Sequence, residues 1–88
     1  MNELVEKVIE NLDGIAIIFK TSNNIRAGQC VKVDVSQDFN LYLKVEEVET
    51  DEKTGNLRVA AFAFLKEIET IIEDIRDLVG KPVTLVDK

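Results

Sequence analysis

The 88-residue sequence contains no histidine and only one cysteine, Cys30. Without histidine the chain lacks the usual general base near neutral pH and the commonest protein ligand of zinc and copper. A single cysteine forms no internal disulfide, which favours the reducing environment of the cytoplasm. Cys30 lies in an alternating strand pattern, so we interpret it as a small buried hydrophobic residue rather than a nucleophile.

Long hydrophobic runs are also missing. The longest, residues 15–19 and 59–65, fall well short of the roughly 18 residues that a membrane-spanning helix needs. The first fourteen residues carry acids throughout and do not resemble a signal peptide. No phosphate-binding loop or other catalytic signature is present, which argues against an enzyme. We therefore expect one small cytoplasmic domain, residues 1–88, with no membrane contact.

The formal net charge is −6, and all of the excess lies in one part of the chain. Between positions 46 and 77 there are ten acids and four bases, whereas the remaining residues carry seven of each. Net negative charge disfavours a nucleic-acid partner. Four bases on the predicted sheet lack interleaved aromatic residues and form only a weak footprint for nucleic acid: Lys20, Arg26, Lys32 and Lys44.

Helical periodicity occurs twice. Asn2 is a suitable N-cap for a helix over residues 3–12, whose apolar stripe comprises Leu4, Val5, Val8, Ile9 and Leu12. A second and clearer stripe predicts a helix over residues 65–79, ended by Gly80 and followed by Pro82.

Strand patterns occupy most of the remaining chain. Alternation or β-branched runs predict strands at residues 15–19, 29–36, 41–46, 57–64 and 82–86. The alternation slips by one position at Glu46 and Glu47, which predicts a β-bulge. Asp51 and Gly55 supply good chemistry for a hairpin turn. The order α-β-β-β-(β)-α-β predicts an α+β fold, a mostly antiparallel or mixed sheet with two packed helices. Whether both helices share one face of the sheet is left open.

The predicted topology brings two acidic segments together. A helix that follows the strand at residues 57–64 must turn back over the sheet, so its end approaches the tip of the preceding hairpin. Oxygen-rich clusters of this kind suit Ca²⁺ or Mg²⁺ and need no histidine, although the spacing does not match an EF-hand. We predict a weak divalent-cation site at Asp51, Glu52, Glu73, Asp74 and Asp77.

Two other interpretations compete with this cation site. The acids alone are equally typical of a solvated face that keeps the protein soluble. Tyr42, Phe62 and Phe64 share the outward parity of adjacent strands, and they form a patch for a protein partner or a homodimer if no helix covers them. If a helix does cover that face, the three rings belong to the core.

Over its whole length, by its element order and by the segments FKTSNNIRAGQCVKVDVSQ and EVETDEKTGNLRVAAFAF, the chain resembles a small uncharacterised protein family of methanogenic archaea. That family is similar in having an isolated α+β fold, and calcium binding through surface acids is associated with it. The resemblance implies no particular ligand residues. It favours a non-enzymatic calcium-binding protein over a merely solvated acidic face, and it leaves the cellular role open.

Overall fold

The computed structural model describes residues 3–36, 39–64 and 75–86. Its strands form one seven-stranded antiparallel sheet in the order β1-β7-β4-β5-β6-β3-β2. In chain order the strands are β1 (Glu3–Leu4), β2 (Lys7–Glu10), β3 (Gly14–Thr21), β4 (Cys30–Ser36), β5 (Phe39–Thr50), β6 (Leu57–Phe64) and β7 (Pro82–Val86).

The expected α+β fold class is wrong, because the described residues form a curled, nearly all-β structure. Among them, the helical element is a short 3₁₀ helix, Ile75–Leu78. Residues 65–74, which hold most of the second predicted helix, lie outside the described residues. Gly80, just beyond the 3₁₀ helix, has the positive φ of +87° that its predicted role as a helix terminator requires. No helix in the described ranges is long and apolar enough to cross a membrane.

The first predicted helix, residues 3–12, is replaced by β1, β2 and a hairpin turn. Its apolar stripe is not one face: Val5 is 2% exposed, whereas Leu4 is 54% and Leu12 97% exposed. β1 pairs with β7, which is distant in sequence, and β2 forms a hairpin with the next strand, β3. These contacts override the local helical pattern. Val5, Val8 and Ile9 are β-branched, so their intrinsic cost in a strand is small.

The same N-terminal segment joins the two edges of the sheet. β1 pairs with β7 at one edge, and β2 pairs with β3 at the other. Between them, the Val5 NH donates to the Lys81 carbonyl at 3.0 Å, and the Val5 carbonyl accepts from the Gly80 NH at 2.8 Å. The Glu6 NH donates to the Ile18 carbonyl at 2.8 Å. Consecutive residues therefore bond to opposite edges, which keeps the sheet curled.

The core fills the inner face of this curled sheet. Each long strand contributes alternate residues, and Val5 and Leu78 add side chains from the N-terminal segment and the 3₁₀ helix. Side chains that are at most 1% exposed include Ile15, Ile17, Phe19, Val31, Val33, Leu43, Val45, Val59, Ala61 and Leu78. Because these residues pack against one another on the inner face, the outer face is the extended surface on which the strands expose their other side chains.

Most of the strand predictions are confirmed. Residues 57–64 and 82–86 form β6 and β7 as expected, and the predicted strand at residues 15–19 lies inside β3, paired on both edges. The register shift in β5 between Val45 and Glu47 confirms the predicted bulge. Cys30 corrects one detail, because it is half-buried rather than part of the core, and its thiol lies 3.7 Å from the Val31 carbonyl oxygen.

Val5→Ala tests the N-terminal closure. Removing two buried methyl groups should lower the free energy of unfolding by about 2 kcal/mol, as measured by urea denaturation. Leu4→Ala is the matched control, because Leu4 is exposed and the change should stay within about 0.5 kcal/mol. Equal losses in the two variants would support the helical stripe instead and contradict the structure.

Candidate functional site

The outer face of the sheet carries a row of side chains that crosses four strands. The register places Lys44 opposite Phe62, Phe62 opposite Ala16, and Ala16 opposite Ile9. In the next row, Glu47 lies opposite Ala60, and Ala60 opposite Ile18. The centre of this face therefore combines aromatic, small and aliphatic residues, and charged residues from β5 border it.

Small residues create a groove in that surface. Ala16 and Ala60 lie on the floor of an open groove with a volume of about 590 Å³, which Phe62 and Phe64 also line. Gly14, opposite Phe64, allows β3 to lie close to β6, because a Cβ there would overlap the Ala63 carbonyl and lie 2.9 Å from the Phe64 Cα. The volume is in the range of ligand-binding clefts, but the groove is open along the surface rather than enclosed.

The aromatic residues predicted to share a face do so, and they are not core residues. Tyr42 is 53% and Phe64 57% exposed. Phe62 is half-buried and makes an edge-to-face contact with Phe64, with ring centroids 5.2 Å apart. Exposed aromatic rings held in place by a neighbouring ring are typical anchors of protein–protein contacts.

The β5 bulge supplies one wall of the groove. Val45 lies opposite Ala61 and Glu47 opposite Ala60, so Glu46 is an additional residue on β5. Both glutamates are exposed and both line the groove, and Asp13 lines it from the β2–β3 turn. An uninterrupted strand would direct two consecutive side chains to opposite faces, whereas the bulge gives both carboxylates to one side.

Two lysines lie beside the aromatic residues on the outer face, Lys44 on β5 and Lys32 on β4. Lys32 is opposite Tyr42 in the β4–β5 ladder, and its ammonium lies 3.8 Å from the Asp34 carboxylate. Both partners of that ion pair are partly exposed, so it contributes little to stability. The residues that line the groove are thus acidic where they are charged, and the outer face is mixed in charge from Lys44, opposite Phe62, to Lys32, opposite Tyr42.

The tip of the β5–β6 hairpin has the turn chemistry that the sequence predicts. The Lys53 NH donates to the Asp51 carboxylate at 2.9 Å, and the Gly55 NH donates to the Asp51 carbonyl at 2.8 Å. Gly55 has a φ of +76°. The hydrogen bond from the Lys53 NH lowers the pKa of the Asp51 carboxyl below its ordinary value.

The residues of the predicted cation site are only partly described. Asp51 and Glu52 lie at the hairpin tip, and Asp77 is exposed on the 3₁₀ helix. Glu73 and Asp74 lie outside the described residues. Within residues 3–36, 39–64 and 75–86, no group of three or more acidic or cysteine side chains could hold a metal ion. Because two of the five proposed ligands are not among these residues, the calcium site stays a prediction.

A second depression lies between β3 and β7. It has a volume of about 230 Å³ and reaches the core beside Phe19, Thr21 and Ile25. The Thr21 hydroxyl is buried and accepts a hydrogen bond from the Asn23 NH at 3.0 Å. Its polar group is thus already used in the turn after β3, and the depression is smaller than most ligand clefts.

Comparison with protein-family models, with curated proteins and with solved structures found no match to this chain. The resemblance to the methanogen family accordingly stays a prediction, and arguments about function depend on the site itself.

Sequence reasoning found the rings of the groove but missed its walls and floor. The sequence predicts a bulge at Glu46 and Glu47, but the prediction did not include that both side chains line one surface. Ala16, Ala60 and Asp13 were not singled out. The available signal was the outward parity of the two alanines, which places Ala60 two residues before Phe62 on β6 and Ala16 opposite Phe62 on β3.

A calcium titration followed by amide chemical shifts tests the predicted cation site. Binding should move the amides of residues 51–52 and 73–77 together, with sub-millimolar to millimolar affinity, on the order of the weakest calcium sites. The double variant Asp51→Asn/Glu52→Gln should abolish the shifts, and Glu10→Gln, on β2, is the control. Shifts spread evenly over the surface, or none at millimolar calcium, would exclude the site.

Proposed function

We propose that the protein is a non-catalytic cytoplasmic binding module that holds a peptide segment of a partner protein in the outer-face groove. The observation that carries this proposal is the exposure of Phe64, 57%, beside the half-buried Phe62 and above a floor of alanines. Large exposed rings next to a concavity have a cost in water that a bound apolar side chain would remove.

The shape of the groove supports a peptide rather than a small substrate. Enclosed pockets bury most of a small ligand, whereas this groove is open along its length. Its floor presents alanine side chains, and its sides present aromatic rings and carboxylates. The chain also lacks histidine. An open surface of this composition suits the binding of an extended segment.

A rigid base supports recognition at this surface. Phe62 and Ala16 lie opposite each other on β6 and β3, two central strands whose inner-face residues are fully buried. Side chains on paired strands lose little additional entropy when a partner binds, which favours affinity from a small contact area. The cytoplasmic location follows from the single cysteine and remains part of the proposal.

Weak calcium binding by Asp51, Glu52, Glu73, Asp74 and Asp77 is a separate proposal, supported by the concentration of acids between positions 46 and 77. Its hairpin-tip residues lie apart from the groove, because the tip follows Thr50 whereas the groove lies beside residues 60–64 of β6. A solvated acidic face and a homodimer through the three rings are the alternative outcomes of the experiments.

Selection of short random peptides on the immobilised protein tests the groove. Selected peptides should contain apolar residues and shift the amides of Ala16, Ala60 and Phe62. Phe64→Ser should weaken the affinity for the selected peptides about tenfold or more, because it removes an exposed aromatic anchor.

Leu4→Ser is the matched control, since Leu4 is similarly exposed but lies on β1, and it should leave binding unchanged. Peptides that bind both variants equally, or that shift residues away from the groove, would refute the proposed function. Light scattering of the free protein should show a monomer. A dimer that is lost in Phe64→Ser would mean that a second copy of the chain, and not a peptide of a partner, occupies the groove.

A further inference from the structure

We infer that the segment bound in the groove is cationic, and that an arginine side chain of the partner lies against Phe62 between the carboxylates of Glu46 and Glu47. This inference rests on the proposed peptide-binding function and specifies its partner. It follows from three features of the groove: the sign of its charges, the effect of the bulge, and the small residues beside the ring.

All the charged residues that line the groove within the described part of the chain are acids. Glu46 and Glu47 lie on β5, and Asp13 lies across the floor on the β2–β3 turn. No ion pair to any of the three is formed among the described residues. The groove is thus apolar at its floor and negative at both sides, which complements a chain that alternates apolar and basic residues.

The two carboxylates lie side by side because of the bulge and not only because the sequence is rich in acids here. Adjacent residues in a regular strand alternate between faces, but the additional residue at Glu46 leaves both carboxylates beside the groove. Two neighbouring negative charges repel each other, and a bound cation between them removes that repulsion. A guanidinium group fits two carboxylates because its donors form a planar fork.

Space beside Phe62 favours arginine over lysine. Ala16 lies opposite Phe62 on β3, and Ala60 lies two residues before it on β6, so the ring has small neighbours and room for a planar group on that side. Lys44 lies opposite Phe62 on β5, outside the lining of the groove. Guanidinium groups stack on aromatic rings more readily than ammonium groups, and they are more weakly hydrated. Phe62 is half-buried and in contact with Phe64, so a stacked side chain meets an already ordered ring.

Other occupants fit the charges less well. Residues 65–74 of the chain carry four acids, Glu67, Glu69, Glu73 and Asp74, against one base, Lys66, so their sequence does not complement an acidic groove. A second copy docked through the same groove would bring the acids of the two copies together. Nucleic acids and acidic peptides are repelled for the same reason.

The test uses three synthetic probes and the full chain. The probes are acetyl-Phe-Arg-Phe-Arg-amide, the same peptide with citrulline at both arginine positions, and the same peptide with glutamate there. Citrulline keeps the shape of arginine and removes its charge. Binding is measured from amide shifts of the ¹⁵N-labelled protein, at low salt and again at physiological salt.

The arginine probe should shift the amides of Ala16, Ala60 and Phe62, bind about fivefold more tightly than the citrulline probe, and weaken as salt increases. The double variant Glu46→Gln/Glu47→Gln should bind the arginine and citrulline probes equally. Glu49→Gln is the control, because Glu49 is exposed on the same strand but does not line the groove.

Equal binding of arginine and citrulline probes to the natural chain, with shifts in the groove, would overturn the inference and leave the proposed function standing. Preference for the glutamate probe would also overturn it. If no probe shifts the groove but selected peptides do so, the arginine assignment alone fails. If neither probes nor selected peptides shift the groove, both proposals fail.

Discussion

The fold depends on hydrogen bonds from two adjacent residues, Val5 and Glu6, to opposite edges of one sheet. Val5 bonds to the Gly80–Lys81 segment before β7, and Glu6 bonds to Ile18 on β3. A seven-stranded sheet left open would expose its apolar inner face at both edges. Because the N-terminal segment spans them, the sheet curls around the core, and the Val5 side chain is buried at the join.

Closure of the inner face determines where the protein can bind a partner. Among the described residues the inner side chains are packed together, so the outer face, the loops and the hairpin tip are the surfaces that a partner would meet. On the outer face two local departures from regular structure coincide. Gly14 allows β3 to lie close to β6, and the bulge at Glu46 adds a second carboxylate beside Ala60. Departures of this kind concentrate at functional surfaces, where a regular strand would place the wrong side chain.

Patterns of period two were reliable guides to this structure, whereas the helical pattern over residues 3–12 was not. Most of the second helical pattern, over residues 65–79, lies outside the described residues. β6, β7, the bulge and the turn at Asp51 and Gly55 follow from alternation and turn chemistry, which act over a few residues. The N-terminal helix failed because Leu4, Val8 and Leu12 suit a helix locally, whereas Leu4 pairs with β7, Val8 pairs with β3, and Leu12 lies in the turn between β2 and β3. The β1–β7 pairing joins residues distant in sequence, and a single sequence contains no direct signal of it. The groove was missed for the same reason, since Ala16 and Ala60 become neighbours only when β3 pairs with β6.

Native-state hydrogen exchange at residues 5, 6 and 80 is the most direct test of a sheet closed by its N-terminal segment. The amides of Val5, Glu6 and Gly80 each donate to a backbone carbonyl across the join. If the closure is intact, they should exchange as slowly as the amides of β3 and β6, through global unfolding. Exchange at the rate of a frayed terminus, with β3 and β6 still protected, would show that the segment does not close the sheet.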